Sequence, residues 1–212
     1  MELLVAVMAA WIAPGPAPAA QTLIVTTASW EATEGRAVLV EDGRTVLGPM
    51  TVYIGHGGLG WGLGLRPALA GGPVKREGDG RSPAGVFALG PTWAWPWSRD
   101  AVCVDDPASA EYARILTPAA KPTWRSAEPM SMYRKAVLVG HNAARKPGAG
   151  SCIFLHDGHE PTVGCTAFDS ADLDALVARL RPGARLVQLP EAVLRGVLDP
   201  WGLRAAPASG KM

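Results

Sequence analysis

The sequence predicts a mainly β domain of the α+β class, in which one or two helices pack against the strands. Short apolar runs recur along the chain, among them "TLIVTT" and "RAVLV", and such runs, rich in β-branched residues, are typical of strands. The 212 residues include 25 glycines and 19 prolines, which favour turns and short strands over long helices. This length suits one sizeable domain and is short for two.

The composition is that of a globular protein, with 48% apolar and 18% charged residues. The basic side chains number 20 and the acidic ones 19, so the net charge is +1. Lys and Arg nowhere cluster densely enough to suggest a nucleic-acid surface. We therefore expect no nucleic-acid partner.

Residues 1–20 are expected to be a signal peptide. Leu3–Ala13 is an apolar stretch of 11 residues, too short to cross a bilayer comfortably, so no stable membrane span is expected. Ala17-Pro18-Ala19 then offers an A-x-A-like cleavage site. The basic residues that usually precede such a stretch are missing, and Glu2 stands there. The alternative is a buried first strand or helix.

The next segments are interpreted as strands, turns and loops. Asp42-Gly43 is predicted to form the turn of a β-hairpin. The Gly-rich stretch "GHGGLGWGLGLRPALAGG" lacks the GK[ST] of a phosphate-binding loop, so we expect a flexible connector. "KREGDGRSPAGVFALG" is expected to be a charged turn leading into a strand. Residues 91–135, rich in Trp and Pro, are predicted to be an elaborated loop region or a lid.

Two buried strands and one helix are predicted in the C-terminal part. "KAVLVGHN" and "SCIFLH" are the strands, and they contain His141 and His156 at their ends. Asp169 is placed to cap a helix that Pro182-Gly183 terminates. Its apolar face has helical spacing and consists of Leu173, Leu176, Val177 and Leu180. "ARLVQL" then returns as a strand.

The chain has three cysteines, which allow at most one disulfide. In an exported protein a bridge between Cys103 and Cys152 would leave Cys165 as the free thiol. The alternative is that these two are buried free thiols as well, and the sequence leaves both open.

The segment "SCIFLHDGHEPTVGCTAF" carries the candidate chemistry. A zinc site would need convergent ligands in short-spaced pairs, but the chain has no CxxC, and His156 and His159 fall in an expected loop, so no metal is predicted. The same loop can instead place the imidazole of His156 beside the thiol of Cys165, with N–H groups nearby for an oxyanion. A buried histidine and a buried cysteine without catalytic roles are the alternative.

Three blocks in order, "KREGDGRSPAG", "CVDDPAS…WRSAEPM" and "GHN…PGAGSCIFLH…PTVGCTAF", carry a resemblance. From about Thr22 to Leu189 the chain resembles the YkuD-type L,D-transpeptidase catalytic domain, in the branch that ends in "IFLH…PT.GC.A". The resemblance implies a β-sandwich of mixed sheets, a catalytic domain over residues 21–190 and a C-terminal extension over 191–212. It implies no cofactor.

The resemblance also implies a function. Family members are cell-envelope enzymes, so the chain is expected to be periplasmic or exported, with peptidoglycan stem peptides as its partners. They cleave the bond between the third and fourth residues of a stem tetrapeptide, keep the acyl group as a cysteine thioester and pass it to an amine. Two alternatives stay open: an L,D-carboxypeptidase or hydrolase with the same nucleophile, and a non-catalytic envelope-binding domain.

Carried over by motif, the family nucleophile matches Cys165 and its general acid/base matches His156. The carbonyl of Asp157 is expected to orient the imidazole, and the N–H groups around Gly164 are expected to hold the oxyanion. Val163 departs from the family, because many members have a polar His or Lys there.

Two substrate-binding residues are proposed from the sequence. Arg81 can bind a stem-peptide carboxylate through its bidentate guanidinium, with a structural arginine as the alternative. His141 can face the cleft, and a packing role is the alternative.

Overall fold

The fold is described from a computed structural model, which covers residues 21–94, 96, 98–118 and 122–197. The expected signal peptide, residues 1–20, and residues 198–212 of the expected C-terminal extension lie outside the described residues.

The described residues confirm the mainly β prediction, because strands far outnumber helices. The strands are β1 (Gln21–Thr27), β2 (Glu34–Glu41), β3 (Arg44–Tyr53), β4 (Leu59–Trp61), β5 (Ser82–Ala94), β6 (Val102–Val104), β7 (Ile115–Leu116), β8 (Ala127–Pro129), β9 (Lys135–Val139), β10 (Phe154–Asp157), β11 (Thr166–Phe168) and β12 (Arg185–Pro190). The helices are α1 (Ser170–Val177) and α2 (Glu191–Val197), and Met130–Met132 form a 3-10 turn.

Nine of these strands form one mixed sheet in the order β12-β1-β2-β3-β11-β10-β9-β5-β4. A further antiparallel pairing of β12 with β5 closes the sheet on itself. The pairs β1–β12, β10–β11 and β4–β5 are parallel. Strands β7, β6 and β8 form a separate three-stranded sheet in that order.

The predicted hairpin joins β2 to β3. Asp42 and Gly43 both have positive φ, 49° and 76°, between the paired residues Glu41 and Arg44. Two consecutive positive φ values match the twist of the flanking strands, which is why Asp-Gly favours this turn.

The main hydrophobic core takes side chains from almost every strand of the closed sheet. Strand β1 alternates between buried and partly exposed residues, as a strand with one face on the core does. Fully buried members include Leu23, Leu39, Val52, Phe87, Leu155 and Leu186. Each such side chain stabilises the fold by about 1.5–3 kcal/mol relative to exposure.

Both helices pack against this core. Helix α1 buries Leu173 and Leu176, as its spacing predicts, whereas Asp169 stands at the N-cap position without a side-chain capping hydrogen bond. Helix α2 begins at Glu191, directly after the expected end of the catalytic domain, and buries Val197 in the same core.

The described residues of the segment 91–135 contain more regular secondary structure than the sequence predicts. It holds the three-stranded sheet, and strand β5 runs into it as far as Ala94. Arg125 donates to Asp106 from Nε at 3.1 Å and from Nη2 at 2.8 Å. These hydrogen bonds, with one from the Arg125 backbone N–H, hold the pKa of Asp106 well below its usual range.

A disulfide ties the small sheet to the segment before β10. It joins Cys103 of β6 to Cys152, with the Cα atoms 5.7 Å apart. The predicted bridge between Cys103 and Cys152 is therefore present, and Cys165 is left as a buried free thiol. A second apolar cluster surrounds these cysteines and includes Met130 and Phe154.

Candidate active site

The loop between β10 and β11 positions Cys165. The two strands are parallel neighbours, with Leu155 paired to Thr166, yet only residues 158–165 connect them. Parallel neighbours usually need a crossover of about a dozen residues or more, so this loop must turn back sharply beside β10. Its last residue, Cys165, consequently lies beside Phe154, whose N–H donates to Sγ at 3.3 Å.

Hydroxyl groups fix the end of this loop. The carbonyl of Cys165 accepts hydrogen bonds from Ser82 Oγ and from Thr162 Oγ1, both at 2.6 Å. Thr162 Oγ1 also accepts the N–H of Gly164 at 3.1 Å. Ser82, the first residue of β5, also accepts the N–H of Gly55 on Oγ at 2.8 Å, so its side chain links the loop to the main sheet.

Gly164 has a conformation that side chains rarely adopt. Its φ is +151°, and a Cβ placed there would lie 3.4 Å from the Arg81 carbonyl oxygen and 3.7 Å from Lys75 Nζ. Lys75 Nζ is thus close to the backbone of the residue that precedes Cys165.

The thiol of Cys165 is buried, with 4% of the residue exposed. Sγ also donates to the carbonyl of Cys152 at 3.4 Å. Burial, together with the nearby Glu128 carboxylate, raises the pKa of Cys165 to about 12. At neutral pH this group is therefore a thiol and not a preformed thiolate.

The imidazole of His156 is oriented by the backbone. Nδ1 lies 2.8 Å from the carbonyl oxygen of Asp157, an acceptor, so we assign the proton to Nδ1 and leave the lone pair of Nε2 free. Burial lowers the pKa of His156, which keeps the ring neutral at physiological pH. The ring of Tyr133 packs against it with the centroids 4.8 Å apart.

His156 and Cys165 line one open cavity of about 470 Å³, here named the imidazole cavity. Tyr133, Met132 and Val163 also line it, and Val163 is 74% exposed. Among the described residues, no hydrogen bond joins His156 to Cys165. Catalytic hydrogen bonds are often long without substrate and tighten when it binds, so the shared cavity is the relevant geometry.

Cys165 also lines a second cavity of about 170 Å³, here named the charged cavity. Its ionisable side chains are Lys75, Glu77, Asp105 and Glu128. Val163 and Cys165 stand at its border with the imidazole cavity, because each of them lines both cavities. Cys165, the candidate nucleophile, therefore borders one cavity with four ionisable side chains and another that contains the ring of His156.

The structure does not bring the side chains of Arg81 or His141 into either cavity. Arg81 donates from Nη1 to the carbonyl of Leu59 at 2.8 Å. His141 accepts the N–H of Leu63 on Nδ1 and contacts the carbonyl of Ala149 through Nε2, while burial lowers its pKa to about 4. Both side chains hold loops together here, and their substrate contacts stay predictions.

Several site residues were missed by sequence reasoning. Tyr133 and Glu128 come from the segment interpreted as loop or lid, and the Tyr133 hydroxyl donates to Glu128 Oε1 at 2.6 Å. Lys75 begins the charged block "KREGDGR", in which the sequence predicts a site role only for Arg81. Ser82 follows "GDGR" and Thr162 precedes "VGC", and nothing else in the sequence predicts that their hydroxyl groups bind the carbonyl of Cys165.

Within the part of the chain that the structure describes, no group of three or more His, Cys, Asp or Glu residues is arranged to hold a metal ion. None of the helices described there is long and apolar enough to cross a membrane.

Three solved structures are similar to this chain at low identity. The helical cell shape determining protein Pgp2 from Campylobacter jejuni is 15% identical over 82% of this chain, with a TM-score of 0.42. A point mutant of the same Pgp2 is 16% identical over 88%, also with a TM-score of 0.42. L,D-transpeptidase 3 from Mycobacterium tuberculosis, in complex with a faropenem-derived adduct, is 10% identical over 81%, with a TM-score of 0.38.

The chain spans 48%, 56% and 60% of the length of these three proteins, in the same order. No protein-family model matches the sequence. No curated protein matches it either. Similarities this distant do not determine the chemistry of the protein. The proposal below is therefore based on the geometry of the two cavities.

Proposed function

We propose that this protein is a peptidoglycan L,D-transpeptidase that forms a cysteinyl thioester on a stem tetrapeptide and transfers the acyl group to an amine. One observation carries the proposal: the free thiol of Cys165 shares a cavity with the imidazole of His156, whose Nε2 is left free by the contact of Nδ1 with the Asp157 carbonyl. A thiol, a neutral base and an orienting acceptor are the parts of nucleophilic acyl transfer.

In the acylation step, Sγ attacks the carbonyl carbon of the third stem residue, which is joined by an amide bond to the nitrogen of the fourth. Because Cys165 rests as a thiol, Nε2 of His156 takes its proton as the S–C bond forms. The C–N bond then breaks, and the same proton passes from Nε2 to the leaving nitrogen. The products are the thioester and a free amino acid.

The oxyanion is assigned to the N–H groups of residues 164–166. The N–H of Gly164 donates at rest to Thr162 Oγ1, so it serves the oxyanion only by exchanging that partner. The carbonyl of Cys165 is held away by Ser82 and Thr162, which keeps its negative end from opposing the developing charge.

In the second step, the acceptor amine attacks the thioester carbon and gives a proton to Nε2. The C–S bond breaks, and Sγ recovers the proton. No cofactor enters either step, and water in place of the amine would give the carboxypeptidase reaction.

We infer a periplasmic or exported location. The disulfide between Cys103 and Cys152 supports it, because such bridges persist in oxidising compartments. The proposed organisation places a signal peptide at residues 1–20 and the catalytic domain at 21–190.

The test is product analysis with a disaccharide-tetrapeptide, with and without an added diamino acid. The proposal expects release of the terminal D-amino acid in both cases and a new amide product only with the amine. Cys165→Ala should release nothing. Release of the D-amino acid with no amide product at any amine concentration would favour the carboxypeptidase instead, and no release by correctly folded protein would favour a binding domain.

A further inference from the structure

The loop between β4 and β5 concentrates exposed apolar side chains in one short stretch. Seven large apolar side chains are exposed among the described residues, and four of them lie within residues 63–74. These four are Leu63, Leu65, Leu69 and Val74, each 40–60% exposed. Apolar side chains that are exposed next to one another usually mark a surface that contacts a partner.

Hydrogen bonds hold the backbone of this stretch in place. The N–H of Leu65 donates to the carbonyl of Val86 in β5 at 2.7 Å, and the N–H of Asn142 donates to the carbonyl of Leu63 at 2.8 Å. The indole N–H of Trp61 donates to the carbonyl of Gly71. The stretch is therefore attached to β5 and to the segment after β9, and its exposed side chains belong to the folded protein.

Two cavities of about 270 Å³ each lie on this part of the surface. Trp61, Leu63 and Val74 line both of them, so the two cavities are continuous. No Asp or Glu is among the described residues that line either cavity.

The same cavities carry positive charge. Arg66 lines one of them, and Arg76 and Lys146 line the other. All three side chains are exposed, and none of them forms a salt bridge within the described part of the chain. We name this the basic apolar surface, which consists of Leu63, Leu65, Leu69, Val74, Arg66, Arg76 and Lys146.

Lys75 connects this surface to the candidate active site. It stands between Val74 and Arg76 in the chain, and it lines both the basic apolar surface and the charged cavity at Cys165. Its ammonium group is bound to Asp79 at 2.7 Å, so the charge of Lys75 is already neutralised by a neighbour. The unpaired charge of the surface consequently comes from its three exposed cations.

A partner for this surface must offer negative charge and an apolar region together. A bilayer that contains anionic lipid does so, because its phosphate groups lie directly above its acyl chains. Lys and Arg can stay at the level of the headgroups while neighbouring apolar side chains enter the boundary below. The half-exposed leucines and valine can enter that boundary as they stand, whereas an acidic peptide would need pockets of its own to receive them.

We propose that the basic apolar surface binds a bilayer containing anionic phospholipid, with its four apolar side chains in the headgroup boundary and its three cations at the phosphates. Because Lys75 borders both regions, this contact holds the charged cavity at Cys165 close to the membrane. The inference does not depend on the proposed acyl transfer.

Binding is measured by sedimentation of the full chain with vesicles, made either of phosphatidylcholine alone or of phosphatidylcholine and phosphatidylglycerol in equal parts. Each basic residue near an anionic membrane strengthens binding about fivefold, so we expect the anionic vesicles to bind the protein about tenfold more strongly or better. Equal binding to both kinds of vesicle, or binding to neither, would overturn the proposal.

A paired charge substitution locates the contact. Arg76→Gln combined with Lys146→Gln should weaken binding to the anionic vesicles about twentyfold. Arg44→Gln combined with Arg185→Gln removes the same charge from exposed positions elsewhere and should have a much smaller effect. An equal loss in the two proteins would show that net charge and not this surface carries the binding, and would overturn the proposal.

A matched apolar substitution tests insertion. Val74→Ser should weaken binding about fourfold or more, because each methylene-sized group buried in a bilayer strengthens binding by about that factor. Val46→Ser, at an exposed valine of β3, should leave it unchanged. The apolar stretch 3–13 is present in all of these proteins, so vesicle binding that no substitution weakens would belong to that stretch and overturn the proposal.

An acidic partner would give a different result. Binding of polyglutamate by the folded chain, without binding to the anionic vesicles, would assign the surface to an acidic polypeptide and overturn the membrane contact.

Discussion

The two cavities on either side of Cys165 differ in size and in charge. The imidazole cavity, about 470 Å³, contains the neutral ring of His156 and the aromatic ring of Tyr133. The charged cavity, about 170 Å³, contains Lys75 and three carboxyl groups. Val163 lines both and is 74% exposed, so it stands between them at the surface. The two sides of Cys165 therefore differ in chemistry: a neutral ring and apolar groups line one, and ionisable groups line the other.

The largest effect should come from the imidazole side. His156→Ala removes the proposed base for the thiol proton, and general acid–base catalysis typically contributes about 10²–10⁴-fold. We expect D-amino acid release from the tetrapeptide to fall by that factor. Release at the wild-type rate by the folded variant would contradict the proposed role of His156.

The disulfide joins β6 to the loop before β10. The segments around β6 and β8 contribute Asp105 and Glu128 to the charged cavity. The two cysteines of the disulfide are separated by 49 residues, and replacing both with serine should lower the free energy of unfolding by about 3–4 kcal/mol. Urea unfolding followed by tryptophan fluorescence measures this. Cys165→Ala, which breaks no cross-link, is the comparison, and an equal loss in both proteins would contradict the structural role.

The pH dependence of Cys165 alkylation tests the state of the shared thiol. Its pKa is raised to about 12, so the thiolate fraction rises about tenfold for each pH unit below that value. The rate with iodoacetamide should therefore climb about a hundredfold from pH 7 to pH 9 without a plateau. A plateau near pH 7 would mean a preformed thiolate–imidazolium pair.

A smaller effect should come from the charged side. Glu128→Gln removes a negative charge that raises the pKa of Cys165, so the alkylation rate at pH 8 should increase by about three- to tenfold. Glu31→Gln, exposed and distant in the chain, should not change it. A decrease in the Glu128 variant would show that this carboxylate does not act on the thiol.

Local features were predictable from the sequence, and features that depend on long-range packing were not. The Asp42-Gly43 turn and the buried face of Leu173 and Leu176 follow from short-range rules of turn chemistry and helical spacing. The closure of the sheet by β5 and β12 joins residues about a hundred positions apart, which no local pattern encodes.

The same distinction applies to the site. Cys165 and His156 lie within one motif, and their shared cavity could be anticipated from the short loop. Lys75, from the loop before β5, and Glu128, from the small sheet, line a cavity with Cys165 although both are far from it in sequence. The raised pKa of the thiol is likewise a product of that packing, since a motif does not reveal burial.

The most direct measurement is the intact mass of the protein after brief mixing with a disaccharide-tetrapeptide, with Cys165→Ala beside it. If Cys165 is the nucleophile, the wild-type mass rises by that of the substrate less the released amino acid, and the variant does not change. An unchanged wild-type mass together with no release of the D-amino acid, in folded protein with the Cys103–Cys152 bridge intact, would contradict the thioester.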